Sequence, residues 1–158
     1  MSVNFSTGLV SKLLGKNGTD TGADGLRGVM TNGVMRHYTG AQPVTADSPP
    51  TGTLLGSVTL AGGAFVEGTG TNGINFGAPV GKTLSKASGE SWTFTGVAAG
   101  TIGYFRFQAN AVDDDSSSTT LSRIDGSIGI TSGDLRLSTV TSTIGAVISI
   151  DTFTVTGA

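Results

Sequence analysis

Two stretches of the chain decide its fold, Gly103-Tyr104-Phe105-Arg106-Phe107-Gln108-Ala109 and Leu121-Ser122-Arg123-Ile124-Asp125-Gly126-Ser127-Ile128-Gly129-Ile130. In each, apolar and polar side chains alternate, which is typical of a β-strand with one face in the core and the other in water or against a neighbour. The polar residues between them, 112–120, have too little apolar surface to order themselves. The sequence therefore predicts a long β-hairpin whose loop projects as a mobile tip.

The two faces of this hairpin have different predicted roles. The polar face carries Tyr104, Arg106 and Arg123, and tyrosine and arginine are enriched at interface hot spots, so these three residues are candidate assembly contacts. The competing interpretation is plain sheet structure, with an exposed cross-strand ion pair to Asp125 of modest worth. The apolar face is predicted to form the core, with inward side chains Phe105, Phe107, Ala109, Ile124, Ile128 and Ile130.

The composition favours a turn-rich β protein and excludes several classes of function. Of 158 residues 26 are glycine and only 13% are charged, about half the usual charged share. The net charge of −2, without a basic stripe, gives no electrostatic case for a nucleic-acid partner. The absence of cysteine excludes disulfides and thiolate chemistry. No apolar run approaches the roughly 18 residues of a membrane span, so we expect a soluble protein made in a cytoplasm, with no membrane partner.

Strand signals recur throughout residues 34–158 and predict one β-sandwich or jelly-roll-like barrel there, in a mainly β, single-domain chain. The last stretch, Gly145 to Thr156, changes its apolar parity near Asp151, which indicates a bulge or a strand that passes between sheets. The other predicted strands are Val34–Thr39, Thr53–Leu60, Ala64–Val66, Thr83–Ala87, Ser91–Val97 and Asp134–Thr139.

Residues 1–33 are the exception and predict an N-terminal helical segment or arm with one or two short helices. Ser6 or Asn4 is the expected cap of the first helix, and Gly15 its expected end in a left-handed turn. Helices this short do not persist alone in water, so they must dock on the sheet or on another subunit. The first helix is predicted from the spacing of Phe5, Leu9, Val10, Leu13 and Leu14, and the second from Leu26, Val29 and Met30. Phe5, Leu9 and Leu13 are candidate assembly contacts.

The connection over residues 40–52 contains three of the four prolines and is predicted to be extended or irregular. Extended segments can wrap the surface of a partner. Pro43, Pro49 and Pro50 are therefore further candidate assembly contacts.

Two glycine-rich stretches resemble nucleotide-binding motifs. Residues 68–73 match the pattern G-x-G-x-x-G, but the stretch that follows, 74–79, is not expected to form the helix whose N-terminus would hold a pyrophosphate. Residues 77–83 have one residue too few between their glycines for a phosphate-binding loop. Both are predicted to be plain loops, and no cofactor is expected.

The ionisable residues do not form a recognisable catalytic pattern. His37 is the only histidine, has no evident partner, and is expected to be structural or on the surface. Glu67 and Glu90 are the only glutamates. Asp113 to Asp115 could bind Ca²⁺, but they lack the alternating carboxylates and closing glutamate of a calcium loop, and Asp20 to Gly25 is an equally partial match. We therefore expect no enzymatic activity and leave calcium at the aspartate loop as an alternative to a solvated loop.

Several turn and strand signatures, spread over most of the chain, occur together in a known family of proteins. They are the Leu9–Leu14 helix, Asn32-Gly33-Val34, Tyr38–Asp47, Pro50–Leu55, Asn72–Gly77, Trp92, Gly103–Phe107 and Arg123–Gly126. Through these signatures, none of which is a catalytic motif, the chain resembles a family of small virion proteins of tailed bacteriophages.

This resemblance implies a structural protein of the virion that is made in the host bacterial cytoplasm and needs no cofactor. Capsid decoration (cement) is the favoured role, with the major capsid protein or other virion proteins as partners and a homo-oligomer in the particle. The alternatives are a position in the neck, tail tube or tail tip. A further alternative is a carbohydrate-binding β-sandwich that would use Trp92 or Tyr104 as a platform for sugars.

Overall fold

The structure, a computed structural model, describes residues 3–15 and 25–157 of the chain. Within these residues it is mainly β, as the sequence predicts, and forms a single domain. Its helices are short and N-terminal: α1 (Thr7–Leu13) and α2 (Gly25–Val29). Its strands are β1 (Asn4–Phe5), β2 (Val34–Thr39), β3 (Leu54–Leu60), β4 (Thr83–Ser85), β5 (Trp92–Thr95), β6 (Gly100–Gln108), β7 (Arg123–Gly129), β8 (Leu135–Arg136), β9 (Thr141–Ser142), β10 (Val147–Ile150) and β11 (Thr154–Thr156).

One large sheet dominates the described chain, with the strand order β1-β7-β6-β2-β3-β5-β10. Neighbours along this path are antiparallel, β8 pairs in parallel with β7, and β9 pairs with β6. Strand β3 changes partner along its length, because Val58 pairs with β2 whereas Thr59 and Leu60 pair with β5. The sheet folds over at this point, so that rings of β5 contact the apolar face of β2 and β6: Phe94 lies 4.8 Å from His37 and Trp92 lies 6.1 Å from Phe107.

The predicted hairpin is present as the pair β6 and β7. Phe107 lies opposite Ile124 and Arg106 lies opposite Asp125, so the alternation predicts both the pairing and the division into two faces. Phe105, Phe107 and Ile124 are buried and Ile128 is partly buried against the core. Ile130 is not inward as predicted, since it follows the end of β7 and is 56% exposed.

An aromatic cluster fills the space between the two halves of the folded sheet. Its ring centroids lie 5.3 to 6.4 Å apart, and its members are Phe76, Trp92, Phe105, Phe107 and Phe153. The predicted change of parity near Asp151 is confirmed, because β10 belongs to the large sheet and β11 to a separate two-stranded sheet with β4. The predicted strand at Ala64–Val66 is wrong: positive φ angles at Gly68 and Gly70 turn the chain back, and only an isolated bridge from Val66 to Thr71 forms.

The described part of the N-terminal segment lies on the domain's own sheet. Asn4 and Phe5 pair with β7. Ser6 caps α1 by accepting a hydrogen bond from the Leu9 N–H, and Gly15 follows with a φ of +77°, both as predicted. The partial calcium motif at Asp20 to Gly25 lies outside the described residues, apart from Gly25.

Candidate functional surfaces

The polar face of the hairpin is buried, which overturns the prediction that it faces outward. Tyr104, Arg106 and Arg123 are each 0% exposed. Residues 41–52 and 113–118 cross this face and supply polar partners for its side chains. These three side chains are therefore internal to the domain, and an assembly partner cannot reach them on the folded chain.

Arg106 and Asp125 form a bidentate ion pair across the two strands. The Arg106 Nε donates to Asp125 Oδ1 at 2.8 Å and its Nη2 donates to Oδ2 at 2.7 Å. The same Nη2 also donates to the Ser48 carbonyl at 2.8 Å, which ties the covering segment to the sheet. Burial raises the pKa of Asp125 above its usual value, although the hydrogen bonds and charge of Arg106 oppose that change. The cross-strand ion pair that the sequence suggests is thus present, but it is buried and not exposed.

Arg123 holds the loop after β6 against the same face. Its Nε donates to Asp113 Oδ2 at 2.8 Å, and its Nη2 donates to Asp113 Oδ1 and to the Ser116 carbonyl. Burial acts to raise the pKa of Asp113, but the hydrogen bonds from Arg123 and the Asp115 N–H outweigh it and lower this pKa. Asp113 is only 4% exposed, so the prediction of a projecting loop is wrong. The Asp113 carboxylate pairs with the buried Arg123 guanidinium, and this ion pair holds the loop against the sheet.

The remaining carboxylates of this region also have partners. Asp115 accepts hydrogen bonds from Arg36, Tyr38 and Gln108, and the other end of the Arg36 guanidinium reaches Glu67 at 2.5 Å. These contacts account for the left-handed φ of +62° at Asp115. Among the described residues no group of three or more metal-ligating side chains converges.

Tyr104 binds the proline-containing segment through its hydroxyl group. The hydroxyl donates to the Thr51 carbonyl at 2.7 Å and accepts from the Thr51 N–H at 2.8 Å, while the ring stacks on Tyr38 at 5.2 Å. Residues 41–52 consequently cover their own sheet. Pro43 is buried within this cover and is not an available contact, Pro50 is half-buried, and Pro49 is exposed.

The N-terminal helix presents the clearest exposed apolar surface. Leu9 is 0% exposed and belongs to the core, so it is not an available contact. The exposed members define what we call the N-terminal apolar surface: Phe5 (37%), Val10 (39%), Leu13 (37%) and Leu14 (81%). The sequence predicts Phe5 and Leu13 as contacts. It also places Val10 and Leu14 on the helix, but without a role, because the spacing alone does not say which side of a short helix faces the sheet.

This surface is fixed to the domain at several points. The Ser6 hydroxyl accepts from the Leu9 and Arg123 N–H groups and donates to the Leu121 carbonyl. The Asp47 carboxylate accepts from the N–H and the hydroxyl of Thr7 at 2.8 and 2.5 Å. The helix therefore cannot reorient without breaking contacts with both β7 and the covering segment.

The other motifs in the sequence have structural roles. The stretch after Gly73 forms a bridge from Ile74 to Gly33 and not a helix, so the residues of the G-x-G-x-x-G pattern lack a pyrophosphate site. The Glu90 carboxylate accepts from the N–H and side-chain amide of Asn75 at 2.9 Å each, and from Trp92 Nε1 at 2.7 Å.

His37 is fully buried, and its ring packs edge-on against Phe94. Neither ring nitrogen has a hydrogen-bond partner among the described residues. Burial lowers the pKa of His37 to about 3, so the imidazole is neutral at physiological pH. No described residue provides the acid partner that a catalytic base would need.

Several grooves lie on the described surface. Two of them contain no nucleophile paired with a base. One, of about 390 Å³, runs along β3 and is lined by Arg36, Ser57, Phe65 and Val97. The other, of about 530 Å³, lies beside β1 and is lined by Asn4, Pro43, Val44 and Gly103. The two aromatic residues proposed as sugar platforms are buried, since Trp92 is 1% exposed and Tyr104 is 0% exposed. Trp92 borders a further groove beside Glu90 and Ser149, but its ring is not open to that groove. Neither aromatic ring can stack on a carbohydrate, so that basis for a sugar-binding module is removed.

Comparison with known proteins leaves the function to be argued from these surfaces. No family model, no curated protein and no solved structure matches the chain. In the described residues, no helix has the length and apolar character needed to cross a membrane.

Proposed function

We propose that this protein is a structural component of a tailed-bacteriophage virion, and that it decorates the capsid by stabilising contacts between major capsid subunits. The observation that carries the proposal is the N-terminal apolar surface, an exposed apolar patch on a helix that is fixed to the domain. Such patches commonly mark sites of interaction with other proteins. The sequence resemblance to phage virion proteins supplies the class of partner.

Covering the N-terminal apolar surface would stabilise a contact with a partner. Burying one leucine side chain completely contributes about 1.5–3 kcal/mol. Leu14 is 81% exposed, so most of that contribution becomes available only when a partner covers it. Because Ser6 and Asp47 already hold α1 in place, little further ordering opposes binding.

The polar residues of the domain support a structural role for a different reason. Arg36, Arg106 and Arg123 each pair with carboxylates of the same chain. Their side chains hold the two segments that cover the hairpin. Arg106 and Arg123 are buried with their partners, while Arg36 and Glu67 pair at the wall of the groove along β3. In the described residues these charged groups stabilise the domain.

Copy number tests the proposed position. Virions of the bacteriophage that encodes this chain would be purified, and the ratio of this protein to the major capsid protein would be measured by quantitative gel and mass spectrometry. A decoration protein is expected at a copy number comparable to that of the capsid subunits. A few copies confined to the tail would favour the neck or tail alternative, and absence from the particle would overturn the proposal altogether.

A matched pair of variants tests the surface itself. Leu14 and Val80 are both 81% exposed, but only Leu14 belongs to the N-terminal apolar surface. Leu14→Lys is expected to lower occupancy on particles that lack the wild-type protein, whereas Val80→Lys is expected to bind like wild type. Equal binding of the two variants would show that the partner does not contact this surface.

A further inference from the structure

The strand β10 forms an open edge of the large sheet. It ends the strand order, and no other described strand pairs with its outer side. Ile148 and Ile150 are buried, while Val147 is 67% exposed and Ser149 is exposed. One face of β10 is therefore packed in the core, while its other face is exposed to solvent.

The backbone groups on this edge can be assigned from the pairing with β5. Gly96 donates to the Ala146 carbonyl at 2.8 Å, and the register then places Ile148 opposite Phe94 and Ile150 opposite Trp92. In an antiparallel pair, hydrogen-bonded and non-hydrogen-bonded positions alternate. The N–H and C=O groups of Ile148 and Ile150 therefore bond to β5, and those of Val147 and Ser149 point toward the open side.

Strand β10 itself lacks the features that normally keep a strand edge apart from other strands, although Lys86, Glu90 and Asp151 line a groove together with Ser149 and Ile150. Natural edge strands are commonly protected by charged side chains, proline or a covering loop. Residues 137–150 contain no charged residue and no proline. Exposed apolar side chains flank the strand, Ile144 at 76% and Val97 at 60%. The opposite edge differs, because β1 is only two residues long and runs directly into α1.

We infer that β10 is a self-association site at which two copies of this chain pair edge to edge, in antiparallel orientation, about a two-fold axis. A second copy is the occupant that this edge fits, because a two-fold axis brings each residue close to its own equivalents. Like charges at such a contact would repel, and residues 137–150 carry none. The inference does not depend on a role in a virion.

The open backbone groups also select a register. When the two-fold axis passes beside Ile148, Val147 lies opposite Ser149 of the partner subunit. In this register the outward N–H and C=O groups of Val147 and Ser149 all form hydrogen bonds between the two copies. The same register places Asp151, the first charged residue after the strand, opposite Gly145 of the partner subunit. The two aspartates therefore do not face each other.

The test is sedimentation velocity of the purified full-length chain over a series of concentrations. Wild type is expected to show a monomer–dimer equilibrium. Val147→Lys places like charges across the axis and is expected to raise the dissociation constant about tenfold or more. Val80→Lys is the matched control, because Val80 is also an exposed valine (81%, against 67% for Val147) but does not belong to β10, and it is expected to dimerise like wild type. Matching circular dichroism spectra and unfolding midpoints for the two variants would establish that both are folded.

Three results would overturn the inference. One is a wild-type chain that stays monomeric at every concentration reached, and another is a dimer that Val147→Lys and Val80→Lys affect equally. A dimer lost in Leu14→Lys but retained in Val147→Lys would move the interface to the N-terminal apolar surface.

Amide hydrogen exchange provides a second, residue-resolved measurement. The amides of Val147 and Ser149 are expected to become protected as the protein concentration rises, whereas those of Ile148 and Ile150 should be protected at every concentration. Rapid exchange at Val147 and Ser149 in samples that sediment as dimers would place the contact elsewhere.

Discussion

Arg106 and Asp125 lie opposite each other on β6 and β7, and neither side chain is exposed to solvent. Two hydrogen bonds of 2.8 and 2.7 Å join the guanidinium to the carboxylate, and a third from the same guanidinium reaches the Ser48 carbonyl. The pair thus links the central hairpin to the segment that covers it. The covering segment excludes water from the pair, and the pair in turn holds the segment in place.

Removing the carboxylate of this pair is expected to destabilise the domain strongly. Asp125→Ala leaves the Arg106 charge buried without its partner, and breaking a buried pair in this way typically costs about 3–5 kcal/mol. The free energy of unfolding, measured by chemical denaturation, is therefore expected to fall by that amount. Asp114→Ala is the control, because Asp114 is exposed and its side chain accepts hydrogen bonds from the neighbouring Ser116, so little change in the free energy of unfolding is expected. Equal losses in the two variants would contradict a special role for the buried pair.

The buried histidine predicts a loss of stability in mild acid. Burial lowers the pKa of His37 from 6.5 to about 3, so the unfolded chain binds a proton between these values that the folded chain does not. Stability therefore falls as the pH drops through this range, by about 1.4 kcal/mol per pH unit. The histidine contributes throughout the window from about pH 6 to 4.5, whereas carboxylates in unfolded chains titrate mainly near pH 4.

The variant His37→Phe tests the origin of that slope. Phenylalanine keeps an aromatic ring against Phe94 and removes two buried nitrogens that have no partner among the described residues. The variant is expected to fold and to lose most of the pH dependence between pH 6 and 4.5, as measured by urea denaturation at several pH values. An unchanged slope in the variant would assign the effect to other groups.

The hydroxyl of Tyr104 is expected to keep residues 41–52 closed over the sheet. Tyr104→Phe removes both hydrogen bonds to Thr51 and is expected to cost about 1–2 kcal/mol. Limited proteolysis should then cut within residues 41–52 faster than in wild type. Tyr38→Phe is the matched control, since it removes a hydroxyl from the same stacked pair that bonds to Asp115 instead. Faster cleavage of residues 41–52 in both variants would indicate general destabilisation of the domain and not a specific effect of the hydrogen bonds between Tyr104 and Thr51.

At the hairpin, the sequence predicts the strands correctly but not the environment of their polar face, and the reason is physical. Alternation predicts that Phe107 and Ile124 face one side and Arg106 and Asp125 the other, because the period of a strand is fixed by its backbone. It does not say what covers the polar side. That depends on partners remote in sequence, such as Ser48, which is 58 residues from Arg106. The predictions of an exposed arginine face and of a loop that projects from the sheet were therefore wrong, although the two strands of the hairpin were confirmed.

The N-terminal helix illustrates the same limit for a short amphipathic segment. The cap at Ser6, the turn at Gly15 and the presence of the helix follow from local chemistry and are confirmed. The helix has apolar residues on more than one side, so the pattern could not decide that Leu9 enters the core while Leu14 stays outside. Only the close approach of the helix to the loop before β7 decides it. That approach is possible because residue 8 has no side chain.

Gly8→Ala is therefore expected to destabilise the domain, although helix propensity alone predicts that it stabilises the helix. Alanine is intrinsically more favourable than glycine inside a helix by about 1 kcal/mol. A Cβ at residue 8, however, would lie 2.4 Å from the backbone of Thr120 and 2.5 Å from the Leu121 carbonyl oxygen. Backbone atoms cannot move aside as a flexible side chain can, so Gly8→Ala must push α1 away from the sheet. We expect a net loss of about 1–3 kcal/mol in the free energy of unfolding, the range for overpacked sites.

The control variant Gly77→Ala distinguishes the contact of residue 8 with residues 120–121 from a general effect of replacing glycine by alanine. A Cβ at Gly77 would have its nearest neighbour at 3.6 Å, an ordinary contact distance, so Gly77→Ala should change stability by less than about 0.5 kcal/mol. Chemical denaturation gives both values, and hydrogen exchange at Leu9 and Val10 reports whether α1 has detached. Stabilisation by Gly8→Ala, with unchanged protection of those amides, would mean that the helix is not held against residues 120–121. The fixed geometry of the N-terminal apolar surface would then lose its structural basis.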